Sequence, residues 1–157
     1  MGTVQHQYAH SVEAVFAKLT DEAHLRERSE QAGHRNIEVR VQRTEGGVEV
    51  RLERDIESEI PAVAKKFINP VNHVVDVIRW RDDGDAKSGT YQVTVSKRIR
   101  VSGVMSLRPT GDGCRYEDTC TPTVDVPIVG KKIAKLVAKE TETAIAENLR
   151  RTERALG

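Results

Sequence analysis

Beyond Gly130, nothing between Val129 and Leu156 interrupts a helical pattern: there is no proline and no further glycine. Apolar residues recur at Val129, Ile133, Leu136, Val137, Ala144, Ile145, Leu149 and Leu156. Spacings of three and four put them on one side of a helix. About twenty-eight residues at ~1.5 Å each make a rod of roughly 40 Å. Such a stripe must be buried against something. Most of the chain from Asn36 to Val126 reads as strands, so the partner is a sheet. A long terminal helix lying across an antiparallel sheet is a container more often than a catalyst.

The strands are legible from alternation. Val4, His6 and Tyr8 alternate with Thr3, Gln5 and Gln7. Ser11 is placed to cap a helix bearing Val12, Val15, Phe16 and Leu19, and Thr20 or Asp21 to cap a second that Gly33 stops. Ile37, Val39 and Val41, then Val48, Val50 and Leu52, flank Gly46-Gly47 as a hairpin. Clean alternation means one wet face and one buried face. Pro61 to Asn69 reads as a short helix ended by Pro70. Strands follow over His73–Arg81, around Tyr91–Val95, over Ile99–Arg108 and over Cys114–Val126, with Gly103 marking a bulge or a close approach. The order predicts an antiparallel meander in one domain over residues 1–157.

Charge narrows the partners. The 25 basic and 24 acidic residues give a net charge of +1, no reason to expect nucleic acid. Aromatics, at 4%, are too few for a base-stacking platform. No apolar run approaches the ~20 residues of a membrane span. Met1 to His10 has neither the basic start nor the apolar core of a signal peptide, so a cytoplasmic location is expected. Cys114 and Cys120, on one extended strand, stand roughly 20 Å apart, too far to bridge. The histidines show no zinc spacing, and neither metal nor cofactor is expected.

Several motifs resemble a known family. Tyr8-Ala-His-Ser-Val-Glu-Ala-Val-Phe16 followed by Leu19-Thr20-Asp21 resembles the usual strand-to-helix opening of the START-like superfamily, which includes the birch-pollen allergen. Ile60-Pro61-Ala62 before Lys66-Phe67, Trp80 ending a strand, Val101-Ser102-Gly103, Leu107-Arg108-Pro109 and Val126-Pro127-Ile128-Val129-Gly130 are similar to an uncharacterised bacterial family within it. The resemblance covers the whole chain. It implies an α+β helix-grip fold, a curved antiparallel sheet of about seven strands wrapped around the C-terminal helix, with two short helices after strand one. It also implies an apolar cavity and a hydrophobic small molecule or lipid as partner. No catalytic residues carry over. Where related chains place an acidic residue early in the helix, this one reads Lys131-Lys132-Ile133-Ala134.

The candidate ligand-binding residues are Trp80, Tyr91, Leu136, Val137, Glu140 and Ile145. Glu140 lies on the side of Leu136, Val137 and Ala144, where a carboxylate is costly unless paired. Either it meets a ligand's polar head, or the stripe twists away and leaves it at the edge. Asp76 alternates with Val74, Ile78 and Trp80, but Val75 and Val77 make the other face equally apolar. Lys131, Lys132, Lys135 and Lys139 form a basic helix face, either simply solvated or touching an anionic membrane surface. The expected function is non-catalytic binding, or binding with transport, of a hydrophobic molecule. The alternatives are a cyclase- or dehydratase-like enzyme using Glu140 or Asp76 with a tyrosine, and a protein-interaction module with a filled interior. Oligomeric state is not legible.

Overall fold

The computed structural model describes residues 2–157. Strand β1 (Gly2–Tyr8) leads into helices α1 (Val12–Leu19) and α2 (Glu22–Gln31). Six strands follow: β2 (Arg35–Thr44), β3 (Gly47–Glu57), β4 (Val71–Asp83), β5 (Ala86–Thr94), β6 (Ile99–Thr110) and β7 (Gly113–Val124). The chain closes with α3 (Gly130–Leu156). The seven strands form one antiparallel sheet in the order β1-β7-β6-β5-β4-β3-β2. Apart from β1, which pairs with the last strand, every neighbour in space is a neighbour in sequence. The fold is the α+β helix-grip fold that the sequence motifs implied.

Local chemistry sets the elements. The Ser11 hydroxyl accepts a hydrogen bond from the Ala14 backbone N–H at 3.1 Å and so caps α1. Asp21 precedes α2 without a side-chain cap, while the Thr20 hydroxyl donates back to the Phe16 carbonyl. Gly46, at φ +78°, turns the β2–β3 hairpin where a side chain would be strained. Along β6, Ile99, Val101, Met105 and Leu107 are buried while Arg100, Ser102, Val104 and Arg108 are exposed. That alternation gives the sheet one packed and one wet face.

The helix expected over residues 61–69 is only a three-residue 3-10 turn, Ala62–Ala64. Pro61 is extended rather than helical, at ψ 149°. Pro70 disfavours helix at Asn69, and the few residues left between them are too short to hold a helix.

Helix α3 packs against β1, β7, α1 and α2 and is held at two ends by two separate apolar clusters. At its N-terminal end Ile133 joins Ala64, Ile99 and Val126. Toward its C-terminal end Leu149 joins Tyr8, Val15, Trp80 and Leu107. Burying side chains of this size contributes about 1.5–3 kcal/mol each. Two hydrogen bonds fix the second end: the Tyr8 hydroxyl donates to the Leu149 carbonyl at 3.1 Å, and His24 Nε2 meets Thr152 Oγ1 at 2.9 Å.

Candidate functional site

Between its two anchored ends α3 is incompletely covered. Leu136, Val137, Thr141 and Ile145 are half-buried. So are Ile78, Tyr91 and Val93 on β4 and β5, where Ile78 registers with Tyr91 and Asp76 with Val93. Of the residues expected to line a site, Trp80 is buried in the larger cluster. Its ring stands edge-on to Phe16 at 5.6 Å and to Tyr116 at 6.5 Å.

Glu140 is exposed, at the edge of the stripe, the second of the two places the sequence left open to it. The inner line of α3 runs Ile133, Val137, Thr141, Ile145, Leu149, every fourth residue. Glu140 sits about 100° around the helix from Thr141. Thr141 takes the inward place without an unsatisfied group, because its hydroxyl donates to the Val137 carbonyl at 2.7 Å.

The polar groups of the interior come from the sheet and from α2. Asp118 on β7 is 2% exposed and shares the inward face with Cys114, Tyr116 and Cys120. Its carboxylate accepts hydrogen bonds from the Tyr91 hydroxyl at 2.8 Å and the Tyr116 hydroxyl at 3.0 Å. Burial pushes its pKa up to about 6, against the opposing pull of the two phenols. Burial also raises both tyrosines, chiefly by desolvation and then by the facing carboxylate. Tyr91 reaches Asp118 by lying flat over Gly103, where any Cβ would fall inside its ring. The close approach anticipated at Gly103 is therefore the one present.

Asp76 faces inward and pairs with Arg54 of β3 at 2.6 Å, the two side chains 15% and 11% exposed. Arg54 uses Nη1 for this contact, and its Nε is buried with no partner. Arg28, carried by α2, lies within electrostatic reach of Tyr116, Arg54, Asp76 and Tyr8. Burial pushes its guanidinium below the ordinary value. Its side chain forms no hydrogen bond or ion pair with any described residue. His34 joins the same group: burial and Arg54 lower its pKa to about 4, and its Nδ1 is buried without a partner.

Asp118, Arg28 and Arg54 were missed by the sequence reading, yet each carried a signal. Asp118 stands in strict alternation with two cysteines and a tyrosine. Arg54 continues the Val48, Val50, Leu52 row. Arg28 lies three residues after Leu25, beside buried Ser29, on the inner face of α2.

Two surface concavities lie elsewhere. One, about 550 Å³, is lined by residues of α1, Val41, Arg43 and Leu156; the other, about 280 Å³, lies along β2 and β3. Neither is lined by Trp80, Tyr91, Leu136, Val137, Glu140 or Ile145. Among the described residues no cluster of histidine, cysteine or acidic side chains is placed to hold a metal ion. Both cysteines are buried and free.

Comparison with solved structures gives the same fold at low identity. The chain is similar to TTHA0849 from Thermus thermophilus, at 17% identity and a TM-score of 0.68, covering 98% of this chain and 94% of that one. It is similar to a STAR-related lipid transfer protein from Xanthomonas axonopodis, at 14% identity and a TM-score of 0.60, covering 98% and 84%. It is also similar to the di-domain ARO/CYC StfQ from the steffimycin biosynthetic pathway, at 13% identity and a TM-score of 0.64, covering 98% of this chain and 49% of that one. No curated protein matches it in sequence. Residues 3–156 match the family described as "Protein of unknown function (DUF2505)", and the chain belongs to that family.

Proposed function

We propose that the protein binds a hydrophobic small molecule between the middle of α3 and the inner face of the sheet. The observation that carries this reading is the uneven burial of α3. Ile133 and Leu149 are packed, while Leu136, Val137 and Ile145 between them, and Ile78, Tyr91 and Val93 on the sheet, keep accessible apolar surface. Covering that surface with a ligand's apolar body stabilises the complex by about 25 cal/mol per Å². The likeness in fold to a lipid transfer protein supports the reading. Native mass spectrometry of freshly purified protein tests it. A retained or added aliphatic molecule should appear at one per chain. Bare protein alone, even after incubation with lipids and fatty acids, contradicts it.

One observation favours a second reading, a cyclase-like enzyme. Asp118 titrates near neutrality and is tied to two phenols, of which Tyr91 keeps accessible surface. When Asp118 is protonated it can donate to the Tyr91 oxygen, which frees the phenol O–H to polarise a ligand carbonyl. The fold likeness to an ARO/CYC protein agrees with this. Turnover of a poly-carbonyl substrate by the protein, abolished in Tyr91→Phe, would establish it over simple binding.

The end of the molecule at the start of α3 is suited to touch an anionic membrane. Ile128 is fully exposed at φ +69°, an unfavourable conformation for a β-branched residue, and Val63 and Val71 are exposed as well. Lys65, Lys66, Lys97, Arg98, Lys131 and Lys132, on segments adjoining the cluster around Ile133, are exposed and form no ion pair with a described residue. Each such cation is worth about 1 kcal/mol near an anionic surface.

A further inference from the structure

We propose that the ligand carries a carboxylate, and that Arg28 receives it together with the free edge of Arg54; this rests on the binding reading above. Charges and hydrogen bonds do not balance at the inner end of α2. Two guanidiniums, Arg28 and Arg54, lie there within electrostatic reach of each other, and one carboxylate, Asp76, answers them. Asp76 is committed to Arg54 Nη1 at 2.6 Å. Arg54 is 9% exposed, and its Nε finds no acceptor. The two phenols facing Arg28 have already placed their protons, Tyr8 on the Leu149 carbonyl and Tyr116 on Asp118. Arg151, the further cation near His34, is answered by Glu147 at 3.7 Å and by Asn148 at 2.9 Å. His34 contributes no charge at neutral pH.

Among Arg28, Arg54 and Asp76 there is thus one positive charge in excess, Asp118 being held by the two phenols, and the five N–H donors of Arg28 have no protein partner. A half-buried cation without a partner is unfavourable, and the enclosed, unpartnered Nε of Arg54 adds to the cost. Arg28 is half-buried on the inner face of α2, and its nitrogens are not enclosed as Arg54 Nε is, so its guanidinium is open to a ligand. A single carboxylate matches both the excess charge and the planar fork of a guanidinium. A dianionic phosphate would exceed the charge available. Trp80, Ile78 and Ile145, which belong to the adjoining apolar cluster, leave the rest of the ligand an apolar chain or ring. The assigned class is an amphipathic monocarboxylate.

Binding of sodium dodecanoate, 1-dodecanol and dodecyl phosphate, followed by the fluorescence of Trp80, the single tryptophan, tests this. The wild-type protein should bind dodecanoate at least about ten-fold more tightly than dodecanol, the scale of one charged hydrogen-bonded contact. Arg28→Met should bring the two ligands to near parity by weakening dodecanoate alone. Arg28→Lys, which keeps the charge but not the fork, should retain part of the preference. Without ligand, Arg28→Met should melt at the wild-type temperature or above it, because an unpaired, half-buried charge has been removed. Parity of dodecanoate and dodecanol in the wild type overturns the carboxylate assignment and leaves the binding reading standing. Tighter binding of dodecyl phosphate also overturns it, as does a marked loss of melting temperature in Arg28→Met. Failure of all three ligands to bind overturns both.

Discussion

At the scale of single residues, two buried titratable groups pull the pH dependence of stability in opposite directions. Asp118 rises from its ordinary 3.8 to about 6 in the fold. The folded state therefore holds a proton that the unfolded chain has released, and stability falls as pH rises from about 4 to 6, by on the order of 3 kcal/mol. His34 falls from 6.5 to about 4. The unfolded chain takes up its proton first, so stability falls as pH drops from about 6.5 to 4, by a comparable amount. In the wild type the two contributions largely cancel over that window. Melting temperatures between pH 4 and 7 should separate them. Asp118→Asn should lose stability on acidification more steeply than the wild type, and His34→Gln should gain it. Parallel curves for all three proteins would show that neither group is buried as described. Asp118 and Asp76 also show what the sequence made legible. Asp76 alternates with Val74, Ile78 and Trp80, but the equally apolar Val75 and Val77 left either face open to it, solvent included, and the structure turns it inward onto Arg54. Asp118 obeyed the same alternation among Cys114, Tyr116 and Cys120, and a carboxylate there needed partners on β5 and β7 that no local pattern announces.

At the scale of elements, strands are more legible in the sequence than the helix that crosses them. Period-two alternation fixes a strand's face outright, since a slip of one residue exchanges the faces. The face of a long helix is less determined, because its inner line rotates slowly along the axis. Leu136 and Val137 both point to an inward Glu140, whereas the buried anchors at Ile133 and Leu149 draw the line through Thr141. The 61–69 segment departs from its helical expectation for a different reason: prolines at both ends left too few residues for a helix. Register makes a sharper demand at Gly103. Because β5 and β6 place Tyr91 opposite Gly103, the ring occupies the space a side chain would need. Gly103→Ala should destabilise the protein by about 1–3 kcal/mol, in the range of overpacked cores. It should also detach Tyr91 from Asp118. Chemical denaturation measures the first, and the ultraviolet spectrum of the phenol the second. A variant as stable as the wild type would mean that Tyr91 does not lie across the strand.

At the scale of the whole molecule, the chain is a sheet closed over a helix that is fastened at both ends and free in the middle, with a basic, apolar-tipped rim at one end. None of its described helices is long and apolar enough to cross a membrane. The proposed contact with an anionic membrane lies at the rim. Sedimentation with vesicles of mixed phosphatidylcholine and phosphatidylserine should show binding that weakens with salt. Lys131→Glu with Lys132→Glu should reduce it several-fold, and Ile128→Ser, which leaves the charge unchanged, should reduce it without changing the salt dependence. Equal sedimentation of wild type and variants would remove the rim from the account. Methyl-resolved nuclear magnetic resonance during titration with dodecanoate reads the middle of α3 itself. The methyl groups of Ile78, Leu136, Val137 and Ile145 should shift together and saturate at one ligand per chain, while those of Val63 and Val104, exposed on the outside, stay in place. Shifts confined to Val41 and Leu156, which line the outer concavity, would contradict the account and place the ligand on the surface.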